Sequence, residues 1–222
     1  MADPKQVIEI PLGFSKAFLV RGEKPILVDT GTPGNTAKVL QAIMGAGEDP
    51  SRISLIIITH AHADHAGSAA DLIGKTGAKL AAQREDAIAL ERGRSADFYG
   101  RGLTQNATIG LMRLVGPRMT GVKAQVLVEE ELDLKPFGLA GKAIHTPGHT
   151  RGSLSVILQS GEALVGDLLG GKGGQPKLPF FIDDRAQLIQ SIGRVLDLKP
   201  SVIYVSHGEP LKPEDVARFI GG

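Results

Sequence analysis

The chain has no cysteine and no tryptophan, and only 2 of its 222 residues are tyrosine. Without thiols there is no disulfide, no thiolate nucleophile and no sulfur-ligated metal from cysteine, so any bound metal falls to histidine and carboxylate. That absence fits a reducing compartment. Long hydrophobic runs are missing too. The longest strongly apolar stretch is Leu55–Ile58, far below the ~20 residues that cross a bilayer. The opening Met1-Ala2-Asp3-Pro4-Lys5 has neither the basic nor the apolar region of a secretory leader. The expected address is the cytoplasm, with no membrane partner. An excess of charge of one sign is also lacking: 25 Lys and Arg face 24 Asp and Glu, a net +1. Bulk electrostatics therefore predict no nucleic-acid partner.

Apolar residues at 42% and charged residues at 22% are ordinary for a globular domain. The length suits one domain over residues 1–222 with a core of its own. Short β-branched runs at Val7–Ile10, Ala17–Val20 and Pro25–Asp29 read as an antiparallel meander. Asn35 is placed to cap a helix reaching about Met44. Ile53–Thr59 reads as a strand buried on both faces, followed by a helix over about 66–75, a strand at Lys79–Ala82 and a helix at Glu85–Glu91. Residues 93–121 differ, with Arg94, Arg101, Arg113 and Arg118 among apolar side chains, and read as a helical insertion. Strands return at Gln125–Val128, Ala143–Thr146, Leu154–Gln159 and Ala163–Val165. Lys172–Pro179 reads as a loop, Asp184–Leu196 as an amphipathic helix, Ser201–Ser206 as a strand and Pro213–Ile220 as a closing helix. Two blocks of strands and strand–helix units predict sheets packed inside with helices outside.

The densest chemical signal is His60-Ala61-His62-Ala63-Asp64-His65, directly after an apolar strand. In extended chain, residues two apart share a face about 6.6 Å apart, so His60 and His62 can converge on one ion. A helical turn after them would swing Asp64 and His65 toward a second. Imidazole and carboxylate are ligands that zinc and other borderline metals accept. Four such groups in six positions are costly without a cation to gather round. His149 in Thr146-Pro147-Gly148-His149-Thr150, Asp167 in Val165-Gly166-Asp167 and His207 in Ser206-His207-Gly208 repeat one rule. Each stands beside glycine at the C-terminal end of a strand, and strand ends on one rim can meet. His145, the sixth histidine, has no place in this pattern and is expected to be packed or hydrogen-bonded. Tyr204 is expected to face the interior of its strand's packing.

These motifs, in this order, resemble the metallo-β-lactamase superfamily. The resemblance runs from Asp29 to His207. It implies a four-layer αβ/βα sandwich of two mixed sheets, with helices on the outer faces and the site at the sheets' edge. It also implies His60, His62 and His149 on one metal, Asp64, His65 and His207 on another, and Asp167 bridging them. The implied cofactor is two divalent ions, Zn²⁺ first, with Fe or Mn as alternatives. Val28-Asp29-Thr30-Gly31 looks like the family's early signature, which puts Asp29 in support of a ligand. Asp64 is also the candidate proton acceptor in catalysis. Tyr99, Lys172, Phe180 and Phe181 are candidates to edge a substrate pocket.

Within that family, the missing cysteine excludes the β-lactamase subclasses with a Cys ligand. The subclass with His-x-His-x-Asp-His usually lacks the bridging aspartate that Asp167 supplies. Flavodiiron proteins place Glu where His62 stands. Long nucleases need an inserted domain, and glyoxalase II-like enzymes need a helical tail that Pro213–Gly222 is too short to form. Acyl-homoserine lactonases often follow the bridging aspartate with Tyr, whereas Leu168-Leu169 follow Asp167 here. The resulting expectation is hydrolysis of an ester, thioester or lactone on a small-molecule substrate by a hydroxide generated on the metal. A phosphodiesterase and a mononuclear iron enzyme similar to persulfide dioxygenase are the alternatives. A homodimer is the assembly left open. A (β/α)₈ amidohydrolase also follows a strand with His-x-His, but this chain is short for eight units and has hairpins.

Overall fold

In the computed structural model, which describes residues 6–98, 104, 106–109, 111 and 117–222, two β-sheets face each other. The first sheet takes its strands in chain order. β1 (Val7–Pro11), β2 (Lys16–Val20) and β3 (Ile26–Val28) form the antiparallel meander. After α1 (Thr36–Gly45), β4 (Leu55–Ile57) runs parallel to β3. Helices α2 (Ala63–Ala66) and α3 (Ala69–Thr76) lead to β5 (Lys79–Gln83), and α4 (Arg84–Glu91) follows. β6 (Val126–Val128) completes the sheet, again parallel.

The second sheet uses β7 (Glu131–Asp133), β8 (Gly141–His145), β9 (Leu154–Leu158) and β10 (Glu162–Leu164) as an antiparallel run. A hairpin of β11 (Gly170–Lys172) and β12 (Gln175–Lys177) stands apart, and α5 (Arg185–Asp197) precedes β13 (Val202–Tyr204), which pairs parallel with β10. Helix α6 (Pro213–Gly221) closes the described chain. No helix among the described residues is long and apolar enough to cross a membrane.

Strand periodicity explains the layers. Successive strand residues point to opposite faces, so Val28, Leu55 and Ile57 pack inward against Ala143, Leu154, Val156 and Leu164 of the second sheet. Their neighbours Leu27 and Ile56 point outward onto Val39 and Ile43 of α1 and Leu72 of α3. On the far side, Ile157, Ala163 and Ile203 meet Leu188, Ile192 and Val195 of α5 and Val216 of α6. The chain therefore stacks helices, sheet, sheet and helices, the four-layer mixed-sheet architecture expected. Each fully buried Leu or Ile contributes about 1.5–3 kcal/mol.

Some local expectations shift. The strand expected over Ile53–Thr59 shrinks to Leu55–Ile57, because Pro50–Arg52 forms a 3₁₀ turn and the chain bends at the histidines. Lys172–Pro179 is not all loop: β11 and β12 pair across Gly173 and Gly174, whose φ of 59° and 72° makes the turn. Asp184 caps α5 by accepting from the amides of Ala186 and Gln187. Asn35 sits at the start of α1 with no side-chain cap; its amide donates to the Thr32 carbonyl instead. Tyr204 lies edge-on to Phe18 against the inter-sheet core. Of the helical insertion, residues 104, 106–109 and 111 are helical, while Tyr99, Arg101 and Arg113 lie outside the described residues.

Candidate metal centre

All seven candidate ligands meet at one edge of the sandwich, on the segments that follow β4, β8, β10 and β13. β4 ends at Ile57, and Thr59 is then pinned: its amide donates to Asp29 Oδ1 at 2.8 Å, and its carbonyl accepts from Leu154 N at 2.7 Å. This fixes the launch point of the motif between the two sheets. The chain after it is a bend rather than extended strand, with His62 N donating to the His60 carbonyl at 3.0 Å. The two rings still face one another, with centroids 4.6 Å apart at 85°. Helix α2 then carries Asp64 and His65. The Thr30 amide and hydroxyl both donate to the His65 carbonyl at 2.7 Å.

The other three come from the second sheet. His149 sits in the turn after β8, where Gly148 has φ 135° and a side chain would strike Leu188 of α5. Asp167 follows β10 behind Gly166, whose left-handed φ of 54° and contact with Thr59 leave no room for a side chain. His207 follows β13, and its Nδ1 donates to the Phe14 carbonyl at 2.9 Å across the β1–β2 turn. Ser15 in that turn donates its hydroxyl to the Asp64 carbonyl.

The side-chain tips converge. His149 Nε2 lies 3.1 Å from His62 Nδ1. His65 Nε2 is 3.4 Å from both Asp64 Oδ2 and Asp167 Oδ1. His207 Nε2 is 3.2 Å from Asp64 Oδ2 and 3.3 Å from Asp167 Oδ1. Asp167 Oδ2 reaches 3.6 Å from His149 Nε2. Three groups have ligand atoms within 4.8 Å of one another: His60–His62–His149, His60–His65–Asp167 and Asp64–His65–His207. Yet Nε2 of His60, His62 and His65 and Oδ1 of Asp167 are buried with no hydrogen-bond partner. Leaving such atoms unpaired costs about 1–3 kcal/mol each. Ligation of a cation removes that cost for His60, His65 and Asp167, while His62 faces the others through Nδ1, so the residues fit a metal.

Behind His60, His65 and His149 the opposite ring nitrogen is held. His65 Nδ1 donates to Asp29 Oδ2 at 2.8 Å. Asp29 takes the Thr59 hydroxyl as well, and Thr59 Oγ1 lies 3.2 Å from His60 Nδ1. His149 Nδ1 donates to the Phe181 carbonyl at 2.8 Å. These bonds fix the tautomer that presents Nε2 to the centre. Asp29 itself is fully buried and holds φ 61°, a left-handed conformation that Asp tolerates better than most residues.

Electrostatics divide the histidines. Burial, joined by the neighbouring imidazoles, holds His60 and His62 well below the ordinary histidine range. His149 is lowered by burial too. These three are neutral at pH 7, the form that ligates a metal. Burial also opposes the charge on His65, but Asp64, Asp167 and Asp29 outweigh it and raise it. His207 is pushed up to about 9, since the Asp167 and Asp64 carboxylates beside its ring outweigh the burial penalty. Asp64 and Asp167 are held ionised, because the adjoining histidines overcome the cost of burial. Protons on His65 and His207 thus occupy the place a cation would take. Binding there displaces the protons of His65 and His207, so apparent affinity should rise by at least ~10-fold per pH unit from about 7 toward about 9. Chelator competition across that range checks it, and an affinity flat in pH would contradict it.

Asp86 has no signal in the sequence beyond being an acid in the first turn of a helix. In the structure it is buried and accepts from Ala61 N at 2.7 Å, Thr150 Oγ1 at 3.0 Å and Gly152 N at 3.1 Å. One carboxylate thereby ties the His60–His62 bend to the His149 turn. Burial raises its pKa, against those three hydrogen bonds. Asp86→Ala should destabilise the fold by roughly 3 kcal/mol, since three buried donors lose their acceptor. Denaturant unfolding measures this; a loss under about 0.5 kcal/mol would show that the tie is dispensable.

The remaining candidates separate. Phe181 belongs to the site through His149 and through its ring, 5.1 Å from that of Phe98. Phe180 adjoins Phe181, with centroids 4.9 Å apart. Lys172 is exposed on β11 and makes no described hydrogen bond or ion pair to the seven. His145 is hydrogen-bonded to the Arg151 carbonyl through Nε2, outside the cluster.

A two-sheet sandwich with histidines and aspartates gathered at its edge defines a class, and the comparisons agree. Residues 10–207 match the metallo-β-lactamase superfamily, and the chain belongs to it. A probable metallo-hydrolase of Methanocaldococcus jannaschii is 30% identical over 201 residues, covering 88% of each chain. A β-lactamase-like protein 2 homolog of Drosophila melanogaster is 24% identical over 201 residues. The chain spans 60% of that protein's length, and 56% of the Caenorhabditis elegans homolog's. Among solved structures, the B3 metallo-β-lactamase BLEG-1 superposes with a TM-score of 0.74 at 22% identity, covering 97% of this chain and 100% of its own. This last likeness concerns the fold.

Proposed function

We propose that this chain is a metal-dependent hydrolase of an ester, thioester or lactone. His60, His62 and His149 would hold one divalent ion, Asp64, His65 and His207 a second, and Asp167 would lie between them. Zn²⁺ suits this set of imidazoles and carboxylates. The observation that carries the reading is the gathering of ligand atoms within 4.8 Å of one another, among them the buried Nε2 of His60 and His65 and Oδ1 of Asp167, which have no hydrogen-bond partner. Bound divalent ions supply a coordinated water of lowered pKa and polarise a carbonyl oxygen.

The chain's own residues do the rest. Asp29 and Thr59 fix the His65 and His60 rings from behind. Asp64 is held ionised with its side chain 22% exposed, so it faces the opening and can take a proton from the attacking water. The rings flanking the ligand histidines are phenylalanines, which suits a carbonyl substrate better than a phosphodiester. The test is a panel on zinc-loaded protein: a p-nitrophenyl ester, a thioester, a lactone and bis-p-nitrophenyl phosphate. Turnover of at least one carbonyl substrate should exceed that of the phosphodiester by ~100-fold or more. Preference for the phosphodiester would reverse the assignment.

A further inference from the structure

The chain has 7 phenylalanines, and four of them stand around the candidate ligands. Phe98 stacks on the His62 ring, with centroids 4.2 Å apart and planes 15° apart. Phe181 meets Phe98 at 5.1 Å, and Phe180 meets Phe181 at 4.9 Å. These three form a continuous arc from His62 outward, anchored where the Phe181 carbonyl accepts from His149. On the opposite side, Phe14 lies 4.7 Å from the His207 ring. Three separate segments supply these rings: the β1–β2 turn, the stretch after α4 and the stretch after β12. Aromatic residues are only 4% of the chain, so their gathering at one edge is not a matter of composition.

Exposure grades along the arc. Phe98 and Phe181 are half-buried, whereas Phe180 is 57% exposed and Phe14 78% exposed. Exposed large aromatics are unfavourable in water, and contiguous ones mark a surface that is covered in use. Here they adjoin the ligand cluster directly, through the His62 and His207 rings.

We propose that the substrate carries an apolar acyl group, seated along Phe98, Phe181 and Phe180 with Phe14 as the opposite lip. The proposal rests on the hydrolase reading and adds to it the class of acyl group. A polar acyl group would leave its hydrogen-bonding atoms against ring faces, while each methylene laid on such a surface gains about threefold in binding. Hydrolysis adds water across the acyl bond, so an ester or thioester gives an apolar carboxylic acid and the freed alcohol or thiol, and a lactone gives a single apolar hydroxy acid.

The test uses zinc-loaded protein and two readouts. With p-nitrophenyl esters from acetate to octanoate, kcat/KM should rise ~3-fold per methylene, or roughly 80-fold from butyrate to octanoate. Phe180→Ala and Phe14→Ala should flatten that slope to under ~1.5-fold per methylene. Both side chains are exposed, so the fold survives the change. Phe219→Ala, on α6 beside Pro176 and away from the site, should keep the wild-type slope. Calorimetric titration of octanoate against acetate should show the same preference as a ratio of dissociation constants, with the ratio reduced in the two variants. Hydrolysis of the acetate ester with no dependence on acyl length would overturn the apolar seat. If no ester is cleaved but octanoate still binds at least ~30-fold tighter than acetate, the hydrolase reading fails and the seat stands.

Discussion

Asp167→Ala should lower bound metal from the proposed two ions per chain to about one and cut turnover at least ~1,000-fold while the protein remains folded. The size follows from position. Asp167 is the carboxylate whose two oxygens reach histidines of both halves: Oδ1 toward His65 and His207, Oδ2 toward His149. Its side chain is 12% exposed and held ionised by those same histidines. Without it, two facing cations would lose the anion between them, and repulsion at close range in a partly dry site is severe. A two-metal arrangement would hold the attacking and leaving oxygens together, so loss of one ion would affect chemistry more than binding. Metal content and kcat of the purified variant check this, with circular dichroism to verify the fold. A variant that keeps about two ions and wild-type kcat would show that Asp167 bridges nothing.

Asp29→Ala is the second large effect, and it acts at a distance from the reacting atoms. Asp29 accepts from Thr59 N, Thr59 Oγ1 and His65 Nδ1, all in a fully buried pocket. Removing the carboxylate leaves three buried donors without a partner, a cost of roughly 3–5 kcal/mol. It also frees the His65 and His60 rings, which should weaken metal binding by ~10–100-fold. Asp29→Asn should recover part of the stability, because an amide oxygen still accepts from Thr59, yet leave metal affinity low. Thermal melts with and without zinc separate the two losses. Wild-type zinc affinity in a folded Asp29→Asn protein would remove Asp29 from its supporting role.

The ligand cluster was largely legible because its signal is local. His60, His62, Asp64 and His65 fall within six positions, and an apolar strand before them says which end they occupy. His149, Asp167 and His207 each add a glycine and a strand end, which is enough to place them on one rim once the sheets are inferred. The buried strands Ile26–Val28 and Leu55–Ile57 were equally plain, since both faces are covered and their sequences are continuously aliphatic. Other parts depend on tertiary contacts that leave no local trace. β7 is Glu131-Leu132-Asp133, too acidic and short to read as a strand, and it exists because β8 pairs with it at the sheet's edge. β11 and β12 contain Gly170, Gly171 and Pro176 and look like loop until they are paired. Asp86 is an unremarkable helix-start acid until the Ala61 and Gly152 amides arrive from 25 and 66 residues away. Phe14 and Phe98 likewise become part of the site only when the β1–β2 turn and the stretch after α4 fold over the histidines.

The most direct measurement is the metal content of the purified and zinc-loaded protein, by element-resolved mass spectrometry against protein concentration. Seven side chains whose ligand atoms gather at one point should take up about two divalent ions per chain, falling to about one in Asp167→Ala. Saturation at a single ion, or one tightly held iron with no second ion at any zinc concentration, would contradict a paired centre and move the chemistry to that of a mononuclear oxygenase.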